Sequence, residues 1–177
     1  ATFPDRLAAG VGVDVVRAAD ALFGSMTVVP EATVARGFGL RDAGVTSMHD
    51  ATEGGVLGGL TEVASASGVG MRIDLAAIPV PPAVRAVCDH VGIDPYISIS
   101  EGTLLATVVP SRADAYVAAL ADAGIDAAVV GTVTEPSEGT VLVTPEGERP
   151  LVHPGLDPFW GAFGAWAAEA AGIAERS

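Results

Sequence analysis

Lysine is missing altogether. The permanent positive charge of the chain rests on nine arginines, set against 22 aspartates and glutamates, for a formal net charge of −13 over 177 residues. Such a surface has little with which to neutralise a phosphate backbone, so no nucleic-acid partner is expected. A single cysteine, Cys88, excludes an intrachain disulfide framework and gives no sign of an oxidising compartment. No apolar run is long enough to span a bilayer, and no secretory signal pattern opens the sequence. No membrane partner is expected, and a soluble cytoplasmic protein is. Also absent are a G-x-S-x-G nucleophile elbow, a lysine-bearing Walker loop and a Rossmann fingerprint after a strand. His49, Cys88, His90 and His153 stand at no metal-ligand spacing, so no metal site is expected from these residues. Cys88 falls on the apolar face of its helix, where a core residue would.

What is present suits one compact domain, with or without a small appendage. Apolar residues make up 50% of the chain, enough for a real core. The acids are scattered and form no block, which reads as adaptation to high salt, where screening makes a dense carboxylate surface tolerable.

Hydrophobic spacing predicts a helix over 14–24 that stops at Gly24, and a second around Glu31 to Arg36. Val45-Thr46-Ser47-Met48 reads as a strand. Val56, Leu57, Leu60, Val63 and Ala64 then recur as one helical face, ending near Gly68. A strand over 71–75 follows, then a helix between Pro82 and Gly92, a short strand over 96–100 and a buried strand over 104–109. Ser111 and Asp114 resemble a capping box for a helix that ends at Gly124. With a strand over 128–133, residues 104–133 read as a strand–helix–strand unit that a right-handed crossover would close. A strand over 141–143, a turn at Pro145-Glu146-Gly147 and a helix started by Asp157-Pro158 complete the pattern. Phe159, Trp160, Phe163 and Trp166 cluster on that last helix, either as core or as a partner contact. Alternating helices and strands indicate a layered α/β or α+β fold.

One stretch carries chemistry. Met48-His49-Asp50-Ala51-Thr52-Glu53-Gly54-Gly55 puts a polar loop and two glycines at the mouth of a helix. Unpaired amides and the positive end of the helix macrodipole favour an anion there, and glycine lets the backbone approach an oxygen closely. The plainer alternative is a strand-to-helix turn capped by Asp50 or Thr52. Gly58-Gly59, one turn further on, costs roughly 1 kcal/mol per glycine against alanine, so another element or a ligand is expected close to that face. His49 suits hydrogen bonding to a phosphate oxygen or acid–base work, or equally a hydrogen-bonded strand end. Glu101 is a loop carboxylate before a strand: a general base, a metal-bridging carboxylate, or simply solvated.

These residues, with Glu62-Val63-Ala64-Ser65-Ala66-Ser67-Gly68-Val69-Gly70, Ile78-Pro79-Val80, Gly92-Ile93-Asp94-Pro95 and Ser100-Glu101-Gly102-Thr103-Leu104, carry a family resemblance. In order and spacing they resemble the C-terminal half of the aminoimidazole ribonucleotide (AIR) synthase-related family, in particular its hydrogenase-maturation branch, the HypE proteins. The resemblance implies an α/β (α+β) domain, a three-layer α/β/α sandwich with a mixed sheet. It divides the chain into a helical lead-in over 1–44, a core over 45–150 and an aromatic helix over 151–177. It also implies ATP and Mg²⁺ as cofactors, with most of their ligands in an N-terminal domain of the same protein that forms a homodimer. Position by position, Asp50, Thr52, Gly54 and Gly55 become phosphate-side contacts. His49 and Glu101 become the catalytic candidates, as polar or acid–base groups of the ATP-dependent step.

The departures are specific. Ala51 and Glu53 stand where the family motif, M-H-D-P-T-R-G-G, has proline and arginine, which removes a positive charge beside the phosphates. The branch ends in a cysteine; this sequence ends Ala174-Glu175-Arg176-Ser177. Two functions therefore remain in view. One is the C-terminal domain of an ATP-utilising protein, closing a phosphate-binding cleft and inactive alone. The other is a non-catalytic nucleotide- or partner-binding module that keeps the fold without the chemistry.

Overall fold

In the computed structural model, described over residues 2–172, helices come first. Pro4–Val11 (α1) and Val13–Ala21 (α2) flank Gly12, a 3-10 turn runs over Leu22–Ser25, and Val29–Phe38 (α3) follows. The strands and helices that matter most for the site are Val45–Ala51 (β1), Gly55–Ser67 (α4), Gly70–Asp74 (β2), Pro82–Val91 (α5) and Thr103–Val108 (β3). Ala113–Asp122 (α6), Gly131–Thr134 (β4), Thr140–Thr144 (β5), Gly147–Pro150 (β6) and Pro158–Ala170 (α7) complete the order.

Three helices end by one device. After α4, α5 and α6 the chain turns at Gly68, Gly92 and Gly124, each with positive φ. The next amide then returns to the helix: Val69 to the Ala64 carbonyl, Ile93 to Cys88 and Ile125 to Leu120. Glycine makes this left-handed turn without a Cβ penalty, so the stops are readable in the sequence.

The expected mixed α/β architecture is present, with its strands divided between two sheets. β1 and β3 form an antiparallel ribbon. The other sheet has the order β4-β2-β5-β6, parallel only between β2 and β5, and is therefore mixed. Helix α4 connects the two. Its Leu57, Leu60, Val63 and Ala64 pack with Met71, Ile73, Ile78, Leu142 and Leu151 in the main core. Its Gly59 lies against Leu105, His49 and Ala51 of the ribbon. A second cluster, Ala35, Val45, Tyr116 and Leu120, joins the ribbon to α3 and α6. A register shift between Val45 and Ser47 allows this. Alternation alone would point Val45 the same way as His49 and Ala51, and a bulge re-aims it.

Three local expectations are corrected. Residues 104–133 are no crossover unit, because β3 pairs with β1 and β4 with β2, in different sheets. Residues 96–100 form turns in place of a strand: the Asp94 side chain accepts from the Tyr96 amide, and its carbonyl accepts from the Ser98 hydroxyl. Such local bonding competes with a ladder. Ser111 does not cap α6; Pro110–Arg112 form a 3-10 turn leading in, with Arg112 at the N-cap and no side-chain bond. Asp157 does cap α7, accepting from the Phe159 amide at 2.9 Å.

Candidate anion cradle at the mouth of helix α4

The chain leaves β1 at Ala51 and enters α4 at Gly55. Gly54 (φ +78°) and Gly55 (φ +66°) both adopt left-handed backbone. A Cβ on Gly55 would stand 2.6 Å from the Tyr96 carbonyl oxygen, so the 96–100 loop packs directly on the turn. The expected closeness at Gly58-Gly59 is met by other elements: His153 and Pro154 lie over Gly58, and the ribbon lies over Gly59.

The amides expected to be unpaired are engaged. Gly55 donates to the Thr52 carbonyl at 3.1 Å and Leu57 to the Tyr96 carbonyl at 3.0 Å. Gly54 donates to Asp157 Oδ2 at 2.8 Å. Asp157 is 2% exposed, and one carboxylate thereby joins the N-termini of α4 and α7. An anion does sit at the helix mouth, and it belongs to the protein. Neither Asp50 nor Thr52 caps α4 with its side chain; Gly54 is the N-cap.

Asp50 is exposed, next to His49 in sequence and so on the opposite face of β1. The half-buried Thr52 contributes its carbonyl, which accepts from Gly55 and from Ser100 at 3.2 Å. That second bond ties the glycine loop to the turn carrying Glu101, which is exposed and leads into β3. Thr52 and Glu101 thus lie at the same end of the ribbon, where Ala51 pairs with Thr103. Glu53 is held by α7: its Oε1 accepts from the Trp160 indole N–H at 3.2 Å.

His49 points the other way, onto α4. Its Nε2 lies 2.7 Å from Glu62 Oε2, and His153 Nε2 lies 3.5 Å from Glu62 Oε1. His153 Nδ1 accepts from the Gly155 amide at 3.0 Å, which leaves Nε2 as its proton-bearing nitrogen in the neutral ring. Two imidazoles therefore share one carboxylate beside the glycine loop. Spacing could not reveal this, because His49, Glu62 and His153 come from a strand, a helix and a later loop. Asp157 was legible only as a cap for its own helix.

The remaining candidates fall away from this site. Burial pushes the Cys88 thiol above its ordinary range, and the residue is buried, as a core cysteine would be. Among the described residues no group of three or more His, Cys, Asp and Glu is placed to hold a metal ion. The aromatics of α7 meet α1: Phe3 contacts Phe163 and Trp166, and the Arg6 guanidinium sits 4.0 Å over the Trp166 ring. Among the described residues no helix is long and apolar enough to cross a membrane.

Comparison with known proteins adds an independent line. The family model described as "AIR synthase related protein, C-terminal domain" matches residues 26–144. The protein named carbamoyl dehydratase HypE of Rhizobium leguminosarum bv. viciae is 45% identical over 93 residues, covering 51% of this chain and 27% of that protein. The crystal structure of HypE from E. coli superposes with a TM-score of 0.63 at 35% identity, over 74% of this chain and 40% of that one. A HypE structure in complex with ATP gives a TM-score of 0.57 at 30% identity, over 64% of this chain and 37% of that one. The chain thus spans well under half the length of these relatives.

Proposed function

Because this chain belongs to the AIR synthase-related family through that family's C-terminal domain, we propose that it forms one side of an ATP-utilising cleft in a HypE-like protein. The other side is an N-terminal domain outside this sequence, through which the full protein forms a homodimer. The observation that carries this reading is the left-handed Gly54-Gly55 turn at the mouth of α4, inside the matched segment of a fold whose relative has been solved with ATP. The cradle fits an anion, since a carboxylate already bonds its Gly54 amide. In this reading residues 1–44 are a helical lead-in, 45–150 the core and 151–177 an aromatic addition. Of the last, residues 173–177 lie outside the described structure.

Gly54, Gly55, Thr52 and Asp50 are assigned to the phosphate side, with the Gly54 amide, which already bonds a side-chain carboxylate, as the donor. His49 and Glu101 are assigned to the ATP-dependent step, His49 with its ring fixed by Glu62. ATP, when bound, supplies a phosphoryl group that turns a poor leaving group into a good one. Its Mg²⁺ is assigned to ligands of the other domain.

In the full-length protein, His49→Ala and Glu101→Ala should each lower ATP turnover by about 100-fold while calorimetry still registers ATP binding. The 177-residue chain alone should show no steady turnover. A second reading, a binding module without chemistry, draws on Glu53, a carboxylate where the family motif has arginine. Unchanged turnover in both full-length variants would favour it. Steady ATP turnover by the isolated chain, abolished by Gly54→Val, would instead place the whole machinery in this domain.

A further inference from the structure

We propose that residues 151–160 form a removable strap, with the Asp157 carboxylate occupying the anion cradle until a phosphate group displaces it. The inference rests on the nucleotide reading of the Gly54-Gly55 loop given above. Asp157 makes a substitute ligand. It is 2% exposed and gives one oxygen to the Gly54 amide and the other to the Phe159 amide. Among the described residues no arginine or histidine forms an ion pair with it. Backbone dipoles alone hold it, which is how a helix N-terminus holds a phosphate. A buried charge without a counter-ion forfeits hydration, and Asp157 would regain that hydration on leaving. Displacement therefore exchanges one anion for another at the same amide.

The strap is built to lift. Leu151 anchors its start in the main core, with its amide bonded to the Thr140 carbonyl at 2.8 Å. Beyond that anchor Val152 and Leu156 are 74% and 84% exposed. Gly155 turns between them at φ +79°, a conformation glycine reaches without strain. The hydrogen-bonding and ionic contacts with the loop and α4 are Asp157 to Gly54, Trp160 to Glu53 and His153 to Glu62. Helix α7 buries none of its residues. Opening the strap leaves the Phe163 and Trp166 contacts with Phe3 in place and gives up mainly the Pro154 contact over Gly58, and regions with few buried apolar contacts open at low free-energy cost.

The test is a ¹H–¹⁵N NMR titration of the 177-residue chain with inorganic triphosphate, following the Gly54 amide and the Trp160 indole N–H. In the wild type the two signals should move together. Asp157→Asn keeps an oxygen to cap Phe159 but turns an NH₂ towards the Gly54 amide. It should lower the half-saturating triphosphate concentration about tenfold, as expected for removing a competing charged hydrogen bond. Trp160→Phe, which leaves the cap intact, keeps an aromatic ring beside Phe159 and removes the bond to Glu53, should lower it about threefold. If Asp157→Asn saturates where the wild type does, or if Gly54 responds while Trp160 stays still, the strap does not gate the cradle. If neither the wild type nor Asp157→Asn responds at Gly54, the gating role fails, while the nucleotide reading stands or falls on the calorimetry and turnover of the full-length protein.

Discussion

Gly55 and Gly59 lie one helical turn apart and serve different purposes. At Gly55 the backbone has φ +66°, and an added Cβ would meet the Tyr96 carbonyl oxygen at 2.6 Å and the Ile97 Cα at 2.9 Å. Both atoms belong to the backbone of the 96–100 loop and have no flexible side chain to yield. Gly55→Ala should cost roughly 2–4 kcal/mol, the sum of a left-handed penalty and overpacking. At Gly59 the nearest atom is Leu105 Cδ1 at 2.8 Å, the tip of a flexible side chain. The helix gains about 1 kcal/mol from alanine there, so Gly59→Ala should stay within about 1 kcal/mol of the wild type. Urea unfolding of the two variants checks this, and equal losses would refute the distinction. From the sequence both glycines were legible as places of close approach. Which neighbour approaches was not, because Tyr96 comes from a distant loop and Leu105 from the ribbon. His49 is a similar case: its polarity was legible, its attachment to Glu62 was not.

At the scale of elements, the apolar faces and glycine stops located α4, α5 and α6, whereas β6 went unread. Its four residues are all exposed and include Pro150, so it shows none of the alternation that marks a half-buried strand. Its attachment is electrostatic as well as through the ladder with β5: Arg72 on β2 reaches across β5 to bond both oxygens of Glu148 at 2.7 and 2.6 Å. The hydrogen bond from Arg72, and then its charge, hold the Glu148 carboxyl below the ordinary value of 4.5. A carboxyl whose folded pKa is depressed stabilises the fold above its unfolded pKa, and that contribution is lost as pH falls through the folded value. The stability difference between wild type and Glu148→Gln should therefore be small but measurable at pH 7 and vanish well below pH 4.5. Thermal melts of both proteins across that range provide the check. A difference that persists into acid would mean that packing, and not the ion pair, fastens this edge.

The whole molecule carries 22 carboxylates against nine arginines, and few of the acids find a cation among the described ion pairs. Self-repulsion of this kind weakens as the Debye length falls from about 10 Å at 0.1 M salt to about 3 Å at 1 M. Sodium chloride over that range should raise the melting temperature, by roughly 2–4 °C for each kcal/mol relieved in a chain of this size. A flat or falling profile in calorimetry would remove self-repulsion from the account. Charge, helix faces, glycine stops and the ordered motif from Met48 to Leu104 are local properties, so the sequence by itself determined the family and the helices α4, α5 and α6, and singled out the helix mouth where an anion was expected, while α1 went unread. What occupies that place was decided only in three dimensions. The Gly54 amide and the Asp157 carboxylate are brought together by folding, and a buried hydrogen-bond donor takes whichever acceptor the packed chain delivers to it.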